Sequence, residues 1–258
     1  MDCYDYLKNQ LTLYLNENLS TQKMDLSKRE GFKLGQNNWN VLSDSEKYIS
    51  TIFDIYNRLN QVIENLSYSS TFIRRLPARA YLLKNGINEL SYLRYHLEVY
   101  VHKIHTVLEL MRLLVNAVFE FNIPEKDCSW ENLRKCEGMK SSATDKVLNS
   151  YFKCFKDHIQ IRHFNTHRGM FKDSEIDELS TPLMIYENAR KFNMDVSDYN
   201  ILYPEVFLKM QIRELRRKRA KNIDASLNAV FEHTKSLADI LFKEVKKRHL
   251  SYKSSEKS

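Results

Sequence analysis

Apolar and polar positions alternate along this chain at helical spacing, and the pattern is plainest from Ser43 onward. Ser43-Asp44-Ser45-Glu46 sets a hydroxyl three residues before a carboxylate, the arrangement of a capping box at a helix start. After it, Ile49, Ile52, Phe53, Tyr56, Leu59, Val62, Ile63 and Leu66 recur at steps of three and four, which makes one apolar helix face. Pro77 and Gly86 mark the connection that follows. The strongest periodicity runs from about Asn88 to Phe121. There Leu93, Leu97, Tyr100, Val101, Ile104, Leu108, Met111, Leu114, Val115 and Val118 share a face. A second stripe on the same segment is polar: Tyr95, Glu98, His102, His105, Glu109, Arg112 and Asn116. Its ordinary reading is a solvated face, and its functional reading is the wall of a cleft or a subunit contact.

The rest of the chain divides around this centre. Residues 1–42 read as an extension, with an amphipathic stretch (Tyr4, Leu7, Leu11, Leu13, Tyr14) followed by a polar loop ending at Gly31 to Asn40. Pro124 and the polar run Asp127 to Lys140 read as a loop. A helix starting near Thr144 carries Val147, Leu148, Tyr151, Phe152, Phe155 and Ile159 and leads into Arg162 to Gly169. The acidic Asp173, Glu175, Asp177 and Glu178 read as a linker before a short helix from Pro182 to Phe192. Pro204 suits the first turn of a last helix running to about His249, seamed by Leu208, Ile212, Leu215, Ile223, Leu227, Val230, Leu237, Leu241 and Val245. The helical domain is thus expected over residues 43–250, with a disordered Ser/Lys-rich tail over 251–258.

Composition narrows the fold class. Only 5 Gly and 4 Pro occur in 258 residues, too few for the turns of a sandwich, barrel or doubly wound sheet. An all-α antiparallel bundle with a long C-terminal helix is the expected architecture. Five scattered glycines also exclude a P-loop or a Rossmann fingerprint. No run reaches the ~20 apolar residues of a membrane span, and Met1-Asp2-Cys3-Tyr4-Asp5 lacks a secretory pattern. Cys3, Cys128, Cys136 and Cys154 form no CxxC pair, so free thiols in a cytoplasmic protein are expected. Forty basic against 33 acidic residues leave a charge of +7, which favours a polyanionic partner, nucleic acid first.

Candidate chemistry concentrates in Arg162-His163-Phe164-Asn165-Thr166-His167-Arg168. An arginine and a histidine with four residues between them, and a polar residue directly after the arginine, resemble the signature of the HEPN superfamily. The likeness covers roughly Asp44 to Arg168 and extends through the final helix. It implies a helical bundle, a homodimer, and a metal-independent ribonuclease of the kind found in toxin–antitoxin and phage-defence systems. It also implies products with a 2′,3′-cyclic phosphate and a 5′-hydroxyl. The residue chemistry agrees. Attack of a ribose 2′-hydroxyl needs proton transfer near neutral pH, which His167 can perform. It also needs a cation matched to phosphate oxygens, which Arg162 supplies. His163 and Asn165 would assist by orienting phosphate or base, and Glu98, His102 and His105 are outer candidates from the polar stripe. On an unbroken helix Arg162 and His167 lie about 140° apart around the axis. Either the chain bends there or the two residues act across a subunit interface, and the family resemblance selects the second.

A basic run, Arg213, Arg216, Arg217, Lys218, Arg219 and Lys221, wraps one turn of the last helix. It is a candidate for phosphate contacts, notably Arg213, Arg216, Arg217 and Arg219, against the plainer reading of a solvated helix segment. No cofactor is implied. A di-iron site would use Glu-x-x-His pairs, which the chain lacks, since Glu98 and His102 are four apart. The rival to catalysis is a HEPN-like module that binds RNA or a partner such as an antitoxin without cutting.

Overall fold

In the computed structural model the regular elements among the described residues are all helical. The structure describes residues 9–76, 79–168 and 171–256, with side-chain detail ending at Arg162 and resuming at Phe171. In chain order the helices are α1 (Gln10–Leu26), α2 (Asp44–Arg74), α3 (Arg79–Lys84), α4 (Glu89–Phe119), α5 (Trp130–Leu133), α6 (Ala143–Cys154), α7 (Lys156–Arg168), α8 (Ser174–Phe192), α9 (Ser197–Leu202) and α10 (Glu205–Ser255). The described residues within 1–64, 106–155 and 229–258 form one compact unit, and those within 65–105 and 156–228 form a second. The long helices α2, α4 and α10 each contribute to both.

The first unit follows from the apolar stripes. Ile49, Ile52, Tyr56, Leu59 and Ile63 of α2 are buried, as are Val107, Leu108, Met111, Leu114, Val115 and Val118 of α4. The capping box forms: Glu46 accepts the Ser43 N–H at 2.8 Å while Ser43 Oγ accepts the Glu46 N–H at 3.4 Å. Both Arg29 terminal nitrogens donate to the same carboxylate at 2.6 Å, tying the polar loop to the start of α2. Asn9 caps α1 by accepting the Thr12 N–H at 2.9 Å and donates to the Tyr56 hydroxyl at 2.7 Å. Start-to-end contacts set the directions. Tyr48 donates to the Val118 carbonyl at 2.9 Å, so α2 and α4 are antiparallel. Ser45 donates its N–H to Glu256 at 2.9 Å, so α2 and α10 are antiparallel too.

That last contact corrects the expected disorder after Leu250. Helix α10 continues to Ser255, and Glu256 covers an otherwise unpaired N–H in the first turn of α2. Tyr252 donates to Glu120, which also receives Arg248 at 2.8 Å. The polar segment after Pro124 likewise is not all loop, since Ser129 caps the short α5.

In the second unit the same antiparallel pairing recurs, with Ser70 of α2 donating to Asp224 of α10 at 2.6 Å. The acidic stretch read as a linker is the first turn of α8. Asp173 caps it by accepting the Ile176 N–H at 3.2 Å, and Glu175 and Asp177 sit where the helix dipole favours negative charge. Pro182 therefore lies inside α8 instead of opening it. At the other end Asn193 adopts the left-handed conformation (φ 50°), and the Met194 N–H returns to the Ala189 carbonyl at 2.9 Å.

Candidate functional site

Helix α7 carries the arginine–histidine motif, and it is a helix of its own. The expected single helix from Thr144 breaks at Phe155, whose backbone leaves the helical region (φ −110°, ψ 17°) with its ring buried 4.6 Å from that of Tyr151. Lys156 then starts α7, which continues unbroken to Arg168. Asp157, Gln160 and Ile161 are exposed along it, whereas His158, Ile159 and Arg162 are half-buried.

A ring contact anchors α7 on α4. The His158 ring stands edge-on to Tyr100, centroids 5.7 Å apart at 78°. Burial holds the His158 imidazole below its ordinary pKa, against the opposing pull of Asp157. The ring is therefore neutral near pH 7. Arg162 follows His158 by four residues and so shares its flank of α7. By sequence alone His158 reads as a packed or solvated histidine, and its i, i+4 relation to Arg162 is the signal that places it beside the motif.

Positions 163 to 168 belong to the helix, but the side chains of His163, Asn165 and His167 lie outside the described ones. Helix α7 runs on through 162 and 167, and on a regular helix these positions are about 140° apart around the axis.

The polar stripe of α4 is neither bare nor core. Glu98, His102 and His105 are half-buried in the second unit, while Tyr95 is 63% exposed. Farther along, Asn116 holds the backbone in place: it donates to the Ile123 carbonyl at 2.8 Å and accepts the Ile123 N–H at 3.2 Å. This clamps a turn in which Glu120 and Asn122 both take positive φ. Burial lowers the Arg112 pKa, with Glu109 opposing, and burial pushes the nearby Cys128 thiol up to about 11. Such a thiol is a poor nucleophile near neutrality. Cys128, Cys136 and Cys154 are free thiols. Among the described residues no three His, Cys, Asp or Glu side chains form a group able to hold a metal ion. No helix among them is long and apolar enough to cross a membrane.

The basic run of α10 divides into two sets. Arg216 donates from Nε to the Ile73 carbonyl at 3.1 Å and from Nη2 to the Arg74 carbonyl at 2.7 Å, closing the C-terminus of α2. Arg219 is bonded to Asp173 at 2.9 Å and Glu175 at 2.6 Å, and Lys218 reaches Glu175 at 2.6 Å. Arg216 and Arg219 are thus engaged inside the fold, which corrects their grouping with the phosphate-binding candidates. Arg213, Arg217 and Lys221 are exposed. The signal for Arg219 lies in the seam itself, because position 219 fills the gap between Leu215 and Ile223.

No curated protein and no solved structure matches the chain. A family model does, that of the Cthe2314-like HEPN domains, over residues 52–235. The match runs from the first turns of α2 to the middle of α10 and takes in the whole of α7. All-helical architecture, the long final helix and the family match agree, and the chain belongs to the Cthe2314-like HEPN family.

Proposed function

We propose that this HEPN protein is a metal-independent endoribonuclease whose reaction is carried by Arg162 and His167 of α7. The observation that supports the reading most is their common helix: an arginine and a histidine at the spacing expected for the family fall within one helix, with Arg162 half-buried one turn beyond a packed histidine. In the proposed reaction an imidazole takes the proton of a ribose 2′-hydroxyl and the oxygen attacks the adjacent phosphorus. The bond to the 5′-oxygen breaks, and that oxygen leaves with a proton from a second imidazole. Arg162 binds the phosphate oxygens and offsets the charge that develops on them. Products carry a 2′,3′-cyclic phosphate and a 5′-hydroxyl.

The angle between positions 162 and 167 bears on assembly. A homodimer in which two copies of α7 line one cleft supplies Arg162 and His167 together, and it also supplies two imidazoles, one as base and one as acid. His163 and Asn165 orient phosphate or base in this scheme, with Glu98, His102 and His105 farther out. A toxin or defence role in the cytoplasm, held in check by an antitoxin or sensor, fits a nuclease of this family. The same angle favours a second reading, in which one chain binds RNA or a partner protein without cutting it.

The test is RNA cleavage in EDTA by wild type beside Arg162→Ala and His167→Ala proteins of unchanged far-UV circular dichroism. Each substitution is expected to lower the rate by about a hundredfold or more. Binding of RNA with no cleavage by wild type of tRNA, mRNA or ribosomal RNA favours the binding module.

A further inference from the structure

A row of aromatic rings in the second unit has no part in the arginine–histidine chemistry. On α2, Tyr68 and Phe72 are one turn apart, with centroids 6.4 Å from each other, and are 43% and 44% exposed. Phe72 lies against His96 of α4 at 5.2 Å and 32°. Around the same imidazole stand Tyr92 at 4.4 Å and Tyr95 at 5.3 Å. Burial lowers the His96 pKa, so the centre of the row is an uncharged ring near pH 7. Exposed Arg75 is the first residue past the end of α2, so a cation follows the rings closely in sequence.

Position links this row to the motif helix. His96 precedes Tyr100 by one turn of α4, a rise of about 6 Å. Tyr100 is the residue that touches His158, and Arg162 is one turn beyond His158 on α7. The steps from the rings to Arg162 are therefore each of one helical turn or one ring contact, all within the second unit.

We propose that Tyr68, Phe72, Tyr95 and His96 form a stacking platform for unpaired nucleobases of the RNA whose backbone is engaged at Arg162. The inference rests on the ribonuclease reading and names its substrate class: single-stranded RNA, held by base faces on one side and by phosphate on the other. Half-exposed rings fit this ligand because every base offers a π-face for stacking. Mutual contact separates the platform from other exposed apolar positions of the unit. Ile201, Leu202 and Val206 are aliphatic, and the exposed rings of Tyr81, Phe192 and Phe207 lie on α3, α8 and α10, not on the two helices whose rings meet at His96.

The experiment is fluorescence anisotropy with two labelled single strands of equal length. One is a 2′-O-methyl oligonucleotide, which lacks the nucleophile and survives; the other is an abasic ribose–phosphate strand. Wild type is compared with Phe72→Leu/Tyr95→Leu, which keeps apolar volume and removes the rings, and with Tyr95→Phe, which keeps the ring. Because Tyr95 is largely exposed, single Tyr95→Leu serves if the double variant misfolds. We expect ring removal to weaken the base-bearing strand by about five- to a hundredfold per stacked base, to leave the abasic strand unchanged, and to be rescued by Tyr95→Phe. Unchanged binding of the base-bearing strand by a variant, while wild type still cuts RNA in an Arg162-dependent way, overturns the platform and leaves the nuclease standing. Equal losses on both strands, or a fall of the variant to a smaller oligomer, assign the rings to phosphate or protein contact and overturn it too. Wild type that binds neither strand removes the RNA reading and the platform together.

Discussion

The two units of this chain leave different kinds of apolar side chain in water. In the first, buried polar groups satisfy one another: Asn9 with Tyr56, Gln22 with Ser50, Ser45 with Glu256, His249 with Tyr14. Its exposed large apolar residues are mainly aliphatic, Leu13, Met24, Leu34 and Leu250 beside Trp39, whereas those of the second include the rings of Tyr68, Phe72, Tyr81, Tyr95, Phe192 and Phe207. Exposed rings offer flat apolar faces to a partner, which aliphatic side chains do not. On the proposed reading, this contrast makes the first unit the scaffold and the second the recognition surface. It also shows why charge density alone misleads, since Arg216 and Arg219 stand in the densest basic run and are consumed by the fold.

The largest effect expected from the scaffold side is an acid sensitivity centred on His249. Its side chain is 2% exposed, Nδ1 lies 2.7 Å from the Tyr14 hydroxyl, and its pKa is depressed to about 4, chiefly by burial and further by Lys253, with Glu256 opposing. A histidine whose folded pKa lies below its unfolded value of about 6.5 binds more protons when unfolded. Its contribution is therefore intact above pH 6.5 and is lost progressively as pH falls toward 4, by about 3 kcal/mol in all. Urea midpoints of wild type and His249→Asn across that window should converge as pH falls, and a constant difference contradicts the assignment.

A smaller loss, about 2 kcal/mol, is expected for Glu46→Ala, which removes both the capping box and the Arg29 pair. RNA affinity should not change, and a loss of binding would break the division between the units. The finest test lies within α10. Arg216→Ala leaves the Ile73 and Arg74 carbonyls uncapped and should cost about 1–2 kcal/mol of stability. Arg213→Ala/Arg217→Ala should alter stability by less than about 0.5 kcal/mol. The pair should instead flatten the salt dependence of single-strand binding, by roughly 1.4 in log–log slope. An unchanged slope assigns that pair to solubility.

Much of the fold is legible in the sequence because its signals are local. The capping box at Ser43, the apolar face from Ile49 to Leu66 and the long helix after Asn88 all appear where periodicity places them, within one or two residues of the expected ends. The misses have tertiary causes. Neither Gly nor Pro marks the break after Cys154; it is associated with burial of Phe155 against Tyr151. Pro182 suggests a helix start, yet the Asp173 cap and the acidic first turn begin α8 eight residues earlier. The Ser/Lys tail looks disordered by composition and is held by Glu256 on Ser45, a contact 211 residues away in sequence. For the site, the motif is visible as a string of letters. The ring row is not, because Phe72 and His96 come together only when α2 and α4 pair.

The central claim, 2′-hydroxyl attack promoted from α7, is tested most directly by one nucleotide. A labelled RNA that wild type cuts at a mapped position is remade with a 2′-deoxy sugar at the nucleotide 5′ to that bond and incubated in EDTA. We expect cleavage there to disappear while neighbouring sites persist, and the unsubstituted parent to be cut to cyclic-phosphate ends. Cleavage that survives the missing hydroxyl would mean that another nucleophile attacks the phosphate, and α7 would lose the chemistry assigned to it.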